Sequence, residues 1–444
     1  MNKFLEAIEK NKALILNAER FIWKHPETGY KEIETSGYLE EAFKCLGYEL
    51  VKAVDIPGFY TVLDTGRPGP EILVLGELDA LLCSEHPEAD VETGAVHCCG
   101  HVAQCAALLG VAAALKEPGV LDEMCGRIRL CAVPAEELIE IEYRLSLRKA
   151  GRIRYMGGKT EFLYRGYFDG VDLAFMVHTS VEKHANAKLG MVGLLAKEVT
   201  FKGVATHAGG SPWNGCNALY AAMQGLSAVN AIRETFKEAD LVRVHPIITQ
   251  GGSVVNAIPD RVKIESFVRG RKLETIYDVN KRVNRALCGG ALSLGANIDI
   301  CDIPGYAPLQ NSMDMLDIAE EAWHMTSDIP FVRYDEFGTG STDFGDLSCL
   351  MPVVHPYVPG AAGKSHGADY YIENPESACV TSALWQVNML YLLLKNEAKR
   401  AKAAVSDYKP QFTSKAEYFA YIDRFDSEGN RIEYFEDGTI EVRL

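Results

Sequence analysis

The sequence lacks the features of a membrane-spanning or nucleic-acid-binding protein. It has no run of roughly 18 or more consecutive apolar residues, the length that a transmembrane helix needs, so we expect a soluble protein. Its net charge at pH 7 is −16, and an acidic chain of this kind offers no concentrated basic face for phosphate groups. We therefore expect neither a membrane nor a nucleic acid among its partners.

A secretory signal is also absent from the start of the sequence. Residues 1–23 alternate charged and apolar residues at helical spacing, without a basic region, an apolar block and a small-residue cleavage site. For a chain without such a signal, the twelve cysteines are expected to be reduced thiols in a cytoplasmic protein. Internal repeats and low-complexity tracts are absent too, so the chain is expected to fold as ordinary globular domains.

Three apolar runs predict the buried strands of one sheet. They are ILVLGELDAL from Ile72, IRLCAVPAEE and VDLAFMVH, and each ends on polar side chains. Helical segments separate them, so the predicted fold class is α/β, with a mixed, mostly parallel central sheet and helices on both faces. Ligands of such sheets bind beyond the carboxyl ends of the strands.

The order of the predicted strands and helices changes twice along the chain. A chain of 444 residues with 48% apolar content is expected to form two or more domains. Residues 191–304 run strand, helix, strand, strand, helix, strand, which predicts an inserted α+β, ferredoxin-like domain. The main domain then comprises residues 1–190 and 305–404. Residues 405–444 carry turn signals at SEGN and EDGT, which predict a C-terminal appendage of small hairpins.

The stretch VHCCGHVAQC contains a candidate metal-ligand pair. Cys99 and His101 stand one residue apart at the start of a predicted helix, so both side chains can face one point. Thiolate and imidazole together suit zinc or a related divalent ion. A single Cys-x-His pair is nevertheless more often part of a buried core.

Further candidates follow the predicted strands. Glu136 and Glu137 follow Pro134-Ala135, and adjacent carboxylates at a strand end point to different sides, so one can bind a metal while its neighbour meets a bound water. His178 closes VDLAFMV, and His366 follows the glycine-rich loop PGAAGKSHG. Each residue alone also fits a solvated carboxylate or a hydrogen-bonded histidine. Together with Cys99 and His101 they predict a metal site in one α/β domain.

These motifs resemble the amidohydrolase branch of the zinc aminoacylase/carboxypeptidase metallopeptidases, which includes hippurate hydrolase, indole-acetyl-amino-acid hydrolases and aminobenzoyl-glutamate hydrolase. HCCGH resembles the family's H-x-C-G-H motif, PAEE matches letter for letter, and GELDAL resembles the earlier acidic strand end. The likeness continues through FKGVATHAGGSPWNGCNAL, GGSVVNAIPD and STDFGDLS, and covers most of the chain before residue 405. FLYRGYFDGVDLAFMVH and STDFGDLS favour the aminobenzoyl-glutamate hydrolase and dipeptidase-like members.

The resemblance implies a zinc-exopeptidase-like fold and a cytoplasmic metallo-amidohydrolase with two divalent metal ions per subunit, Zn²⁺ or Mn²⁺, with Co²⁺ as an alternative. Glu136 is implied as the general base, and Asp79 as a residue that orients a metal ligand. The implied metal ligands are Cys99, His101, Glu137, His178 and His366.

In the inserted domain, the resemblance implies a lid and dimerisation role. His207 of ATHAGG resembles a histidine that one subunit offers to the active site of its partner. Asn256 and Arg269 resemble residues that hold a substrate carboxylate. The implied substrate is a small amide with a free carboxylate: an N-acyl amino acid, an aminobenzoyl-glutamate-like conjugate or a dipeptide. A homodimer or higher homo-oligomer through this domain is expected.

The sequence departs from the family pattern at three places. Val102 replaces a polar residue after H-x-C-G-H, Thr179 stands where many relatives have proline, and 138–154 lacks the glycines expected after PAEE. Because of these departures, a non-catalytic binding protein of the same fold remains an alternative interpretation. A cysteine-nucleophile hydrolase using Cys98 or Cys99 with His101 is a second alternative, although residues two apart rarely align as nucleophile and base.

Overall fold

The computed structural model describes residues 3–444, and the helices and strands below are those of this part of the chain. The helices are α1 (Lys3–Lys10), α2 (Lys12–Trp23), α3 (Ile33–Cys45), α4 (His101–Leu115), α5 (Ile141–Lys149), α6 (Gly158–Tyr164), α7 (Ala218–Ile232), α8 (Leu273–Ser293), α9 (Met313–Thr326), α10 (Phe344–Ser348), α11 (Ser382–Asp407, interrupted at Lys395–Ala398) and α12 (Lys415–Ile422).

The strands are β1 (Val51–Lys52), β2 (Phe59–Asp64), β3 (Glu71–Glu77), β4 (Leu81–Leu82), β5 (Ala95–Val96), β6 (Arg127–Val133), β7 (Leu173–Phe175), β8 (His178–Ser180), β9 (Ala185–Met191), β10 (Gly193–Lys202), β11 (Arg243–Gln250), β12 (Arg261–Gly270), β13 (Asn297–Tyr306), β14 (Leu309–Gln310), β15 (Phe331–Gly338), β16 (Val353–Val354), β17 (Tyr357–Pro359), β18 (Ala361–Ala362), β19 (Tyr371–Ile372), β20 (Ser427–Asn430), β21 (Ile432–Tyr434) and β22 (Ile440–Val442).

The first of two compact units contains the predicted α/β sheet. It comprises the chain up to Gly190, Leu309–Gly338 and Thr342–Lys415. Its main sheet has the order β1-β2-β6-β3-β7-β16. Strands β6, β3, β7 and β16 are parallel to one another, whereas β2 is antiparallel to β6 and β1 to β2. The predicted mixed, mostly parallel sheet is therefore confirmed. A second sheet, β14-β9-β17-β8, also carries β15 on β9.

Continuous apolar sequence explains why β3 and α4 lie at the centre of this unit. Every residue of β3 is buried, as expected for a strand between two parallel neighbours. Helix α4 is buried on all sides and packs against β3, α2 and α11. The departure at Val102 belongs to this helix: its side chain is fully buried in the core rather than facing the site.

One helical stretch, Glu376–Asp407, is long and apolar enough by composition to cross a membrane. However, 83% of its apolar window is buried inside the structure, where α11 packs against α9 and α4. This stretch is accordingly a core helix of the first unit. All twelve cysteines are free thiols, as predicted.

The second unit contains the inserted domain together with the end of the chain. It comprises Met191–Pro308, Thr339–Ser341 and Ala416–Leu444. Its antiparallel sheet has the order β11-β12-β10-β13-β20, so the first four strands have the ferredoxin-like arrangement that the sequence pattern predicts. Helices α7 and α8 pack against each other and against this sheet.

The C-terminal segment differs from the predicted appendage at residues 405–444. β21 and β22 do form a hairpin, but β20 adds to the edge of β13, with Asp299 opposite Asn430. Helix α12 buries Tyr418, and Phe425 follows it into the same apolar cluster beside Leu194 and Tyr306. Residues 416–444 are therefore part of the second unit, because they cover apolar surface that its sheet would otherwise expose.

Candidate metal centre

The candidate metal residues follow the carboxyl ends of the parallel strands in the first unit. Asp79 lies two residues after β3, Glu136 and Glu137 lie just after β6, and His178 opens β8 shortly after β7. The amino end of α4 supplies His101. Chain reversal at these strand ends brings polar side chains that are distant in sequence to one edge of the sheet.

Two triads of potential ligands share Cys99. In each triad the ligand atoms lie within 4.8 Å of one another: Cys99, His101 and His178 form the first, and Cys99, Glu137 and His366 the second. Cys99 Sγ lies 3.5 Å from His178 Nε2, and Glu137 Oε1 lies 3.2 Å from His366 Nε2. The structure therefore brings together all five residues predicted as ligands.

His101 and His178 both present Nε2 to the cluster. His101 Nδ1 lies 2.9 Å from the Asp79 carbonyl oxygen and 3.2 Å from its carboxylate, so Nδ1 carries the proton. Its Nε2 is buried and has no hydrogen-bond partner among the described residues. His178 Nδ1 lies 2.8 Å from the Thr179 carbonyl, which orients this ring without the proline of many relatives. Such backing of Nδ1 is typical of metal-bound histidine.

Asp79 holds two candidate ligands at once. Besides accepting from His101, its carboxylate accepts the backbone N–H of Glu137 at 2.8 Å. The carboxylate is fully buried, which is incompatible with the alternative of a strand-terminal group facing water. Its contacts are those of a residue that orients ligands.

Gly100 permits the sharp turn between Cys99 and His101. Its φ is +108°, which side chains rarely adopt, and a Cβ there would come within 2.6 Å of the Tyr370 hydroxyl. The loop carrying His366 is tied to the same turn, because the His366 N–H donates to the Cys98 carbonyl at 2.9 Å. The two motifs are thus joined through the backbone.

Burial and neighbouring charges shift the pKa values of the cluster in different directions. Burial raises the pKa of the Cys99 thiol well above its usual range. Burial, together with the carboxylates of Glu77 and Glu137, raises the pKa of Glu136 well above that of an exposed glutamate. Burial also acts to raise the pKa of Glu137. The hydrogen bond and the charge of His366 outweigh this effect and lower the pKa of Glu137 to about 2. A divalent cation would stabilise the ionised thiol and carboxylates.

Sequence reasoning missed a buried charged group beneath this cluster. Glu77 Oε2 lies 3.2 Å from His101 Nε2, and Glu77, His101 and Glu136 form a third, fully buried triad. Lys159 Nζ lies 2.5 Å from Glu77 Oε1 and 2.5 Å from Asp343 Oδ1. The sequence does offer one indication of Glu77: it is a charged residue at the end of the apolar run that forms β3.

The predicted lid residues lie in the second unit. His207 is exposed, and its Nδ1 accepts the backbone N–H groups of Gly209 at 3.1 Å and Gly210 at 2.8 Å. The loop of Asn256 pairs with it, since the Ala208 N–H donates to the Asn256 carbonyl at 2.9 Å. Arg269, on β12, donates to Ser341 Oγ at 3.0 Å. His207 and Asn256 are therefore neighbours within this unit.

Comparison with known proteins shows that the chain is similar to peptidases and deacetylases. A family model described as "Peptidase dimerisation domain" matches residues 189–288. The chain is 27% identical over 422 residues to Xaa-Arg dipeptidase of Mus musculus, covering 91% of this chain and 87% of the relative. It is 28% identical over 337 residues to N-acetyl-L-cysteine deacetylase of Bacillus subtilis, covering 72% and 74%.

The fold comparison agrees with the sequence comparison. The crystal structure of the Bacillus subtilis YXEP protein, described as a dinuclear metal binding peptidase from the M20 family, has a TM-score of 0.64 and 21% identity, covering 87% of this chain and 99% of that one. The chain is therefore similar, over most of its length, to curated hydrolases of amide bonds and to the structure of an M20 peptidase. These likenesses indicate a metal-dependent hydrolase of amide bonds rather than the alternative of a non-catalytic binding protein.

Proposed function

We propose that this protein hydrolyses the amide bond of a small substrate whose amine half carries a free carboxylate. The candidates are an N-acyl amino acid, an aminobenzoyl-glutamate-like conjugate and a dipeptide. The observation that carries the proposal is the pair of ligand triads sharing Cys99, with Glu136 beside them. The relatives' names, Xaa-Arg dipeptidase and N-acetyl-L-cysteine deacetylase, support this range of substrates.

The donor set suits two divalent cations. Thiolate, imidazole and carboxylate are ligands of Zn²⁺, and Mn²⁺ or Co²⁺ accepts the same mixture. The residues that would hold the ions are those of the two triads, and Cys99 would contribute to both because it alone belongs to both cysteine-containing triads. When bound, such ions polarise an amide carbonyl and make a bound water acidic near neutral pH.

Glu136 is proposed as the general base. Its Oε2 lies 3.8 Å from His101 Nε2, and the residue is buried, so its carboxylate faces the cluster rather than solvent. In this role it takes the proton of the attacking water and passes it to the departing nitrogen. A well-placed acid/base of this kind contributes roughly 10²–10⁴-fold in rate.

We propose that the second unit supplies substrate contacts and the subunit interface. His207 would stabilise the oxyanion in the active site of a partner subunit, while Asn256 and Arg269 would hold the substrate carboxylate. Support for a homodimer comes from the edge strand β11 and helix α7, both within the matched dimerisation domain. Tyr220 and Ile247 are exposed there to 57% and 62%, respectively, and exposed apolar groups of this size mark association surfaces.

The test is a chelation and reconstitution assay on the full-length protein. A panel of N-acyl amino acids, aminobenzoyl-glutamate and dipeptides is assayed after metal removal and again after adding Zn²⁺, Mn²⁺ or Co²⁺. We expect activity to disappear and return, and E136Q to retain metal but lose nearly all turnover. E19Q, which alters another buried glutamate in α2, serves as the matched control. Full activity in the metal-free protein would instead support a cysteine nucleophile.

A further inference from the structure

Arg144 is a buried cation that touches the backbone on both sides of the proposed general base. It lies in α5 and is 1% exposed. Its guanidinium donates to the carbonyl of Ala135 at 3.3 Å, to that of Met156 at 2.7 Å, and to that of Glu137 in a shorter contact. The first and third of these carbonyls flank Glu136 in the chain.

These three bonds close a loop in the chain. After β6 ends at Val133, the chain passes through the PAEE turn, forms α5 and comes back beside this turn at Met156, so one guanidinium joins the start of the excursion to its end. The return is reinforced by the Gly158 N–H, which donates to the Ala135 carbonyl at 3.1 Å. This excursion contains the charged segment 138–154, in which the sequence departs from the family pattern after PAEE.

The turn that carries the two glutamates needs such support. Ala135 has φ of +58°, a left-handed conformation that is unfavourable for a residue with a Cβ. Surrounding contacts must hold a backbone of this kind in place. On one side the Ala135 N–H donates to Glu32 Oε1 at 2.7 Å, and on the other the carbonyl accepts from Arg144. The kink directs Glu136 and Glu137 to different sides.

We propose that Arg144 is a positioning residue that holds the PAEE turn so that Glu137 can bind metal while Glu136 faces the water. The inference rests on the metal-binding role proposed above. Arginine suits the task because its planar guanidinium presents five donors in fixed directions, whereas lysine is a single point charge on a flexible stem. Arg144 reaches the three carbonyls from two separate nitrogens, whereas the three donors of a lysine share one nitrogen and cannot occupy both positions.

Arg129 provides a matched control for a purely structural role. It is also buried in the first unit, at 7% exposure, and its guanidinium donates to the carbonyls of Tyr167 and Asp169. It also forms an ion pair with buried Glu71 at 2.5 Å, and lysine at this position keeps the charge of that pair. These bonds involve neither PAEE nor any candidate ligand. R129K therefore removes a comparable set of carbonyl contacts while leaving the metal cluster unchanged.

The experiment measures Co²⁺ binding to the full-length protein. Coordination of Co²⁺ by Cys99 produces a thiolate-to-cobalt absorption band, and competition with a chelator gives the affinity without any substrate. We expect R144K to bind Co²⁺ about 10–100-fold more weakly than wild type, the range found when a residue that orients a ligand is lost. R129K should bind as wild type does, although both variants melt at lower temperature.

A second variant perturbs the same turn without changing Arg144. A Cβ at Gly29 would overlap the Arg144 guanidinium and lie 2.9 Å from Ala135 Cα, so G29A should weaken Co²⁺ binding in the same way. Its control is G37A in α3, where a Cβ meets nothing within 4 Å. If R144K does not fold, G29A decides the question.

The outcomes separate this inference from the proposed function. A wild-type protein without the thiolate-to-cobalt band would overturn the metal site itself and this inference with it. A normal wild-type band, with R144K and G29A binding Co²⁺ as tightly as wild type, would overturn only the role of Arg144. Equal weakening in R144K and R129K would also overturn it, because the effect would then follow stability rather than position.

Discussion

Replacing Lys159 with methionine should destabilise the first unit strongly. Lys159, Glu77 and Asp343 are all fully buried, and the lysine Nζ lies 2.5 Å from a carboxylate oxygen of each. Methionine preserves most of the side-chain volume and removes the charge. The variant would leave two buried carboxylates without their shared cation, while Glu77 would keep its hydrogen bond from Gln104 at 2.6 Å.

The expected loss is large because the remaining charges cannot reach water. Removing one partner of a buried ion pair costs about 3–5 kcal/mol. For a unit of this size, each kcal/mol lowers the melting temperature by roughly 2–4 °C, so K159M should melt roughly 6–20 °C below wild type at pH 8. The control K12M removes an exposed ion pair with Glu376 and should leave the melting temperature unchanged.

The loss of stability in K159M should also depend on pH. Burial raises the pKa of Asp343 to about 7, although Lys159 opposes the rise, and without the lysine this pKa should rise further. The pKa of Glu77, which the charge of Lys159 helps to hold below its usual range against the effect of burial, should rise as well. Between pH 5 and 8 the unfolded carboxylates are ionised while the folded variant keeps its protons, so its stability falls as pH increases. Each retained proton contributes about 1.4 kcal/mol per pH unit.

The measurement is thermal and urea unfolding of the metal-free proteins, followed by circular dichroism at pH 6 and pH 8. The difference in melting temperature between K159M and wild type should increase with pH. Glu77 contributes first, because it is ionised in the wild type and protonated in the variant. Above pH 7 Asp343 contributes in the same way. A melting temperature equal to that of K12M at pH 8, or a gap that is the same at both pH values, would refute the reasoning.

Three further predictions follow from the site and the second unit. C99S should fold but retain less metal, and unchanged metal content by elemental analysis would count against ligation by Cys99. Deleting residues 416–444 should lower the unfolding temperature of the second unit in calorimetry, because each buried aromatic such as Tyr418 contributes about 1.5–3 kcal/mol; an unshifted transition would contradict this. Mixing inactive H207A with inactive E136Q should restore activity if His207 acts across subunits, and confirmed subunit exchange without recovery would reject that role.

The five ligand candidates could be predicted because each is a local feature of the sequence. A polar residue that ends an apolar strand, or stands at the start of an apolar helix, is visible without knowledge of the rest of the chain. The parallel topology then brings those strand ends to one edge. Cys99 and His178 are far apart in sequence, yet their side chains lie 3.5 Å apart because β3, β6 and β7 are adjacent in the sheet.

The supporting residues could not be predicted in this way. Lys159 follows a pair of glycines, and nothing near it in the sequence shows that its partners are Glu77 and Asp343. The C-terminal strand β20 is equally non-local, since it pairs with β13 more than a hundred residues earlier. Short polar segments such as SEGN carry turn signals, and only the exposed edge of β13 makes this one a strand.

The arrangement of charges suggests why these supporting cations lie where they do. Glu77, Asp79, Glu136 and Glu137 converge on one small volume, and burial alone would favour their neutral forms. Lys159 favours the ionised form of Glu77 by pairing with it, and His366 favours the ionised form of Glu137. Glu136 keeps a raised pKa, because burial and the carboxylates of Glu77 and Glu137 outweigh the opposing charges of Lys159 and His101. In the proposed role, a bound divalent cation would favour the ionised form of this carboxyl group, which could then receive a proton from water.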